Sequence, residues 1–173
     1  MRSRFVLVSR WNLPVPREQV WKLLIHPESW PAWWPRLESA RRVVAGDADG
    51  RGAVTEFSWS SGLGYRIEFA VSTVRVDEPS EIEGEVHGNV RGNGLWLLEE
   101  AGAGEGGQGA RLTYRWDVEL QKPWMRRLAP LLWPVFAARH FRVMRDGAGA
   151  MARQLGCQAG PVEEWSSLTL RPR

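Results

Sequence analysis

Residues 134–155 read PVFAARHFRVMRDGAGAMARQL. At about 100° per residue, Phe136, His140, Val143, Gly147, Ala150 and Met151 fall in one stripe, and Arg142, Arg145, Asp146 and Arg153 fall opposite. The pattern predicts an amphipathic helix with Pro134 near its start and Gly156 as its stop. Gly147 sits at the centre of the apolar stripe, where glycine costs about 1 kcal/mol relative to alanine. Something must pass very close to it, and the backbone of a strand is the expected neighbour. His140 lies two turns away on the same line. The stretch therefore predicts a long helix laid across a sheet, with a polar group aimed into what the two enclose.

The strands for that sheet precede the helix. Arg111–Leu120 alternates cleanly, with Leu112, Tyr114, Trp116, Val118 and Leu120 on one face and charged or hydroxyl side chains on the other. Arg4–Leu13, Leu37–Ala45, Val54–Ser60, Tyr65–Val76, Glu81–Gly88 and Val90–Glu99 supply six more. In Tyr65–Val76 the phase slips at Ser72-Thr73, where a bulge is expected. GAGEGGQG (102–109) reads as a mobile hairpin loop. Pro14 and Pro16 open a short helix bearing Val20, Leu23 and Leu24, which stops at His26-Pro27. ESWPAWWP, punctuated by Pro31 and Pro35, has room for a turn or two of helix or a loop. About seven antiparallel strands at hairpin spacing, bracketed by helices, predict an α+β fold with the helices on one face. Residues 157–173 are expected as a partly ordered extension beyond a single domain of residues 1–156.

A chain of 173 residues, 43% of them hydrophobic, suits one domain with a substantial core. Eleven Trp are too many for one core of this size, so a mixture of core and aromatic pocket is expected. The net charge of +3 rests on Arg, which is interleaved with acids rather than clustered, against a nucleic-acid surface. Cys157 is the only cysteine, which suits a reducing compartment. No apolar run approaches a membrane span of ~20 residues, and the start of the chain does not read as a signal peptide. A soluble cytoplasmic protein is the expectation.

Val15-Pro16-Arg17-Glu18-Gln19-Val20-Trp21, Trp30-Pro31-Ala32-Trp33-Trp34-Pro35, Gly92-Asn93-Gly94-Leu95-Trp96, and Arg139-His140 with Val143-Met144 and Gly147 follow one another in an order that resembles the START-like, or Bet v 1-like, helix-grip superfamily (SRPBCC). The nearest branch is the bacterial polyketide cyclase/dehydrase and lipid-transport group, over roughly residues 3–155. The resemblance implies a curved sheet gripping the last helix around an apolar cavity. It carries over no catalytic residues, because the superfamily shares none. It implies a hydrophobic ligand, lipid-like or aromatic and polyketide-like, and as an alternative a cyclase or aromatase.

The candidate site follows from both lines. Trp59, Tyr65, Trp96, Tyr114 and Trp116 lie on strand faces turned to the helix, Phe136, His140 and Met144 lie on the helix, and Trp33 or Trp34 covers one end, with Trp34 taken as the ligand contact. Gly84, Gly92 and Gly94 remove side-chain volume from the same sheet. His140 is either a core histidine bonded to a backbone carbonyl or a ligand-facing donor or acid/base. Were the protein an enzyme, His140 with Tyr65 or Tyr114 would move the protons. The remaining histidines, His26 and His87, have no ligand-like spacing to it, so neither metal nor cofactor is expected. Gly102-x-Gly104-x-x-Gly107 leads into a strand with no helix behind it and is no dinucleotide site. Finally, Lys122–Trp133 mixes bulky apolar residues with Lys122, Arg126 and Arg127. Broken from the long helix by Pro130 and Pro134, it is either a helix leader on the sheet edge or a lid touching an anionic membrane.

Overall fold

The computed structural model describes residues 2–60, 66–103, 107–121 and 123–171. Its first strand, β1 (Arg2–Leu13), leads into α1 (Arg17–Leu24) and a single 3-10 segment (Pro27–Ala32). Six strands follow: β2 (Leu37–Val44), β3 (Val54–Ser60), β4 (Arg66–Asp77), β5 (Glu81–Gly88), β6 (Val90–Ala103) and β7 (Gly107–Leu120). The long helix α2 (Pro123–Gln154) and β8 (Glu163–Arg171) complete the chain. All neighbouring strands run antiparallel, in the order β2-β3-β4-β5-β6-β7-β1-β8. The meander from β2 to β7 returns to β1, so the first strand sits inside the sheet. The fold is α+β and helix-grip, with α2 held against one face of a curved sheet.

Alternation decides what each strand buries. On β1, Phe5, Leu7, Trp11 and Leu13 are buried, and on β7 Leu112, Trp116, Val118 and Leu120. Under the carboxy-terminal half of α2, Met144, Ala148, Met151 and Ala152 pack with Trp11, Trp30, Trp34 and Leu112 in one core. Phe5, Leu7, Trp116 and Phe141 anchor a second core under the other half. The helix ends as its sequence demands. Gly156 takes φ +66°, Gly156 N–H donates to the Arg153 carbonyl and Cys157 N–H to that of Ala152. This is the paired closure that a left-handed glycine permits.

Four expectations need correction. The sheet has eight strands, because Glu163–Arg171 pairs with β1 along its otherwise free edge, with Val8 opposite Trp165 and Phe5 opposite Leu168. Arg145 of α2 also bonds Glu164. That strand is held by its partner's backbone and shows little alternation of its own. Second, α2 starts at Pro123 and runs through Pro130 and Pro134 without interruption. Pro134 and its neighbours Leu131 and Val135 are exposed, and on a solvent side a carbonyl freed by a proline ring turns to water. Third, β6 and β7 extend to Ala103 and from Gly107 and absorb most of the expected glycine loop, Ala103 pairing with Gly107. The bulge of β4 falls between Thr73 and Arg75, slightly beyond the predicted position.

The fourth concerns Gly147. Its close neighbour is the Trp34 indole and not a strand: a Cβ built on Gly147 would clash with the edge of that ring. The Trp34 indole N–H donates to the Val143 carbonyl at 3.1 Å, the carbonyl that helical geometry offers to residue 147. The indole thus packs directly on bare helix backbone.

Candidate functional site

Between the sheet and the middle of α2 lies a cavity of about 850 Å³. Its floor comes from inward positions of β1 and β3 to β7, among them Phe5, Phe57, Trp59, Phe69, Gly84, Gly94, Trp96, Tyr114 and Trp116, and its roof from Phe136, His140, Val143 and Met144. Trp30 and Trp34 close one end. The floor is a near-continuous aromatic surface. Phe57 stacks on Phe69 (5.5 Å between centroids), Phe69 meets Trp116 (5.2 Å), Trp116 neighbours Tyr114 (5.9 Å), and Tyr114 meets Trp96 (4.3 Å). Register explains the tightest contact, since Trp96 stands directly opposite Tyr114. It also explains the opening beside it, since Gly94 stands opposite Trp116 and contributes no side chain.

Of the residues expected at the site, Trp34, Trp59, Trp96, Tyr114, Trp116, Phe136, His140 and Met144 all line this cavity. Tyr65 lies outside the described residues. Gly84 and Gly94 line the cavity, but Gly92 does not; a Cβ there would run into the Asp117 carbonyl of β7, so that glycine serves strand approach. His26 and His87 are exposed beside Glu28 and Glu85. The inward residues Phe5, Leu7, Ile67, Phe69 and Val71 also line the cavity and were not singled out as site residues. The alternation of Ile67, Phe69 and Val71 carried that signal, whereas the unbroken apolar run FVLV concealed which face of β1 turns inward.

His140 stacks nearly parallel to Tyr114 at 6.3 Å. Its Nε2 is buried and unpartnered among the described residues, so no backbone carbonyl holds that nitrogen. Burial lowers the imidazole pKa to about 4 and raises that of the Tyr114 phenol, because a charged form would lose its hydration. At neutral pH both groups are uncharged. Among the described residues five arginines line the cavity, Arg139 and the exposed Arg142 among them, and the other three are committed to acids. Arg36 faces Asp146 at 3.7 Å, Arg42 bonds Glu28 and the Ile25 carbonyl while its Nε is unpartnered, and Arg145 bonds Glu164.

In the amino-terminal part of α2, Leu128, Leu131 and Val135 are exposed, Leu131 at 77%. Val135 also lines the cavity, while Trp133 packs on Phe5 at 5.1 Å. Among the described residues no helix is long and apolar enough to cross a membrane. Lys122 lies outside them.

Residues 7–156 match the family model described as polyketide cyclase / dehydrase and lipid transport. No curated protein sequence matches. Solved structures share the fold at low identity. A Thermus thermophilus protein aligns with a TM-score of 0.65 at 19% identity, covering 87% of this chain and 97% of that one. A START superfamily protein of Mycobacterium smegmatis aligns at 0.53 and 16% identity, covering 81% and 98%. The Zhui aromatase/cyclase of a Streptomyces species aligns at 0.56 and 13% identity, covering 80% and 90%.

Proposed function

Because the chain belongs to the polyketide cyclase/dehydrase and lipid-transport family, we propose that it binds a hydrophobic small molecule, aromatic or lipid-like, between the sheet and α2. The observation that carries this reading is the cavity itself: about 850 Å³ lined by indole, phenyl and aliphatic groups. Known small-molecule sites occupy roughly 300–1,000 Å³ and are likewise mostly apolar. Trp34, Trp59, Trp96, Tyr114, Trp116, Phe136, His140 and Met144 are the contact residues of this proposal. The exposed Leu128, Leu131 and Val135 at the same end of α2, with Arg127 exposed beside them, suit entry of the molecule from an anionic membrane surface.

An enzyme using His140 and Tyr114 for proton transfer is the alternative, and the electrostatics disfavour it. General acid–base groups work best with pKa values near the operating pH, whereas burial drives these two apart, to about 4 for the imidazole and upward for the phenol. They suit holding a polar group of a ligand better than passing it a proton. The test is titration with pyrene, followed by quenching of Trp emission. One saturable site per chain, weakened by Trp116→Ala, is expected. Quenching that rises without saturation would remove the binding reading.

A further inference from the structure

Tyr114 is the polar group at the centre of an otherwise aromatic floor. Trp96 lies across from it on β6, Trp116 two residues further along β7, and His140 above it on α2. Burial raises its pKa, so the phenol stays protonated. The residue is half-buried, and its O–H is a donor on the cavity wall. The glycine next to it gives that donor room. A Cβ on Gly94 would come within 3.1 Å of the Tyr114 hydroxyl and 3.2 Å of the Trp116 ring edge. With glycine at that position, the cavity reaches the hydroxyl.

Covering this hydroxyl with an apolar ligand would leave it without a partner, which is costly, and a ligand atom that accepts from it avoids the cost. A carboxylate in the same place would lose its hydration; of the five described arginines that line the cavity, Arg36, Arg42 and Arg145 are paired with acids and Arg142 is exposed to solvent. The imidazole above is neutral, so it supplies no countercharge. An apolar ligand lacking oxygen would leave the hydroxyl unpaired. An uncharged acceptor meets both constraints.

We infer that the ligand of this cavity carries an uncharged acceptor oxygen, of the ketone, ester or ether kind, seated beside Gly94 and hydrogen-bonded by the Tyr114 hydroxyl. The inference rests on the reading of the cavity as a binding site and specifies the ligand for it. Three probes with one ring system test it on the full chain at neutral pH: pyrene, acetylpyrene and pyrenecarboxylate, each followed by Trp quenching. Acetylpyrene should bind roughly 3- to 10-fold tighter than pyrene, as one net neutral hydrogen bond provides, and pyrenecarboxylate weaker than both. Tyr114→Phe keeps the ring and its stacking, so it should fold and abolish the acetyl preference. Gly94→Ala should reduce that preference by occupying the space at the hydroxyl. Equal binding of pyrene and acetylpyrene, a preference that survives Tyr114→Phe, or carboxylate binding as tight as the ketone would each overturn the inference while leaving the cavity as a site. Failure of all three probes to saturate would remove the site and the inference together. A Tyr114→Phe variant that does not fold leaves the parent's probe order as the decisive measurement.

Discussion

Two glycines face aromatic rings across the same interior, and they do opposite things. Gly147 on α2 is filled to contact by the Trp34 indole, whose N–H also bonds the helix backbone. Gly94 on β6 stands before the Tyr114 hydroxyl and the edge of Trp116 with open cavity beyond. Missing side-chain volume in a buried stripe thus means tight docking at one end of the helix and free space at the other. The difference lies in what each glycine faces. Trp34 sits in a solid cluster with Trp30 and Trp33, at 5.3 and 5.5 Å, and with Trp59 at 5.6 Å. At Gly94 the Tyr114 hydroxyl and the Trp116 ring edge stand 3.1–3.3 Å from where a Cβ would lie, close but without the overlap seen at Gly147. The molecule closes one half of its interior and keeps the other half open.

The sharpest way to break this contrast is at Gly147. Alanine is ordinarily better than glycine in a helix by about 1 kcal/mol, yet here its Cβ would clash with the edge of the Trp34 ring. Gly147→Ala should therefore cost about 1–3 kcal/mol, the range of overpacking in a well-filled core, and Gly147→Leu more. Urea unfolding measures both. The cost should largely vanish in a Trp34→Ala background, since residues in contact couple. Full additivity of the two changes would mean that the indole is not what fills the space.

His140 sharpens the other half. Its folded pKa of about 4 lies below the ordinary 6.5, so between those values the unfolded chain binds more protons than the folded one. Stability should then fall as pH drops from about 6.5 towards 4, by roughly 2–3 kcal/mol in total. His140→Leu should lack this loss when the two proteins are unfolded side by side across that window. Asp117, whose pKa Arg4 holds below its usual 3.8, loses its contribution only at lower pH and does not overlap. A parent protein with flat stability from pH 6.5 to 4 would show that water reaches the imidazole.

The same contrast marks how far the sequence is legible. Strand alternation at Leu112–Leu120 and the apolar stripe from Phe136 to Met151 identify the sheet, the gripping helix and the cavity-lining Tyr114, Trp116, Phe136 and His140, because periodicity records which face is buried. It does not record the neighbour across the gap. Gly147 was correctly read as a close approach, but its partner Trp34 comes from a Pro-rich segment more than a hundred residues away, with no period to indicate its direction. The eighth strand was missed for a related reason: Glu163–Arg171 is held by the open edge of β1, a property of the partner strand. At Pro130 and Pro134 the local rule was outweighed by helix on both sides.

The smallest expected effect is the most discriminating. Gly94→Ala adds the same methyl group as Gly147→Ala, to a glycine that also faces an aromatic ring. The new Cβ would lie 3.1 Å from the Tyr114 oxygen and 3.2–3.3 Å from the Trp116 ring edge, so both rings must yield by a few tenths of an ångström. They border the cavity and can yield into it; Trp34 borders it too, but is held by its bond to the Val143 carbonyl and by Trp30, Trp33 and Trp59 around it. Alanine also recovers about 0.5–1 kcal/mol of the backbone entropy that a strand glycine forfeits. The terms nearly cancel, and the stability of Gly94→Ala should stay within about 0.5 kcal/mol of the parent, the margin of an ordinary tolerated substitution. Unfolding curves for the two alanine variants, run together, test the whole picture. A loss at Gly94 as large as that at Gly147 would mean the space before Tyr114 is closed in solution, and the cavity with it.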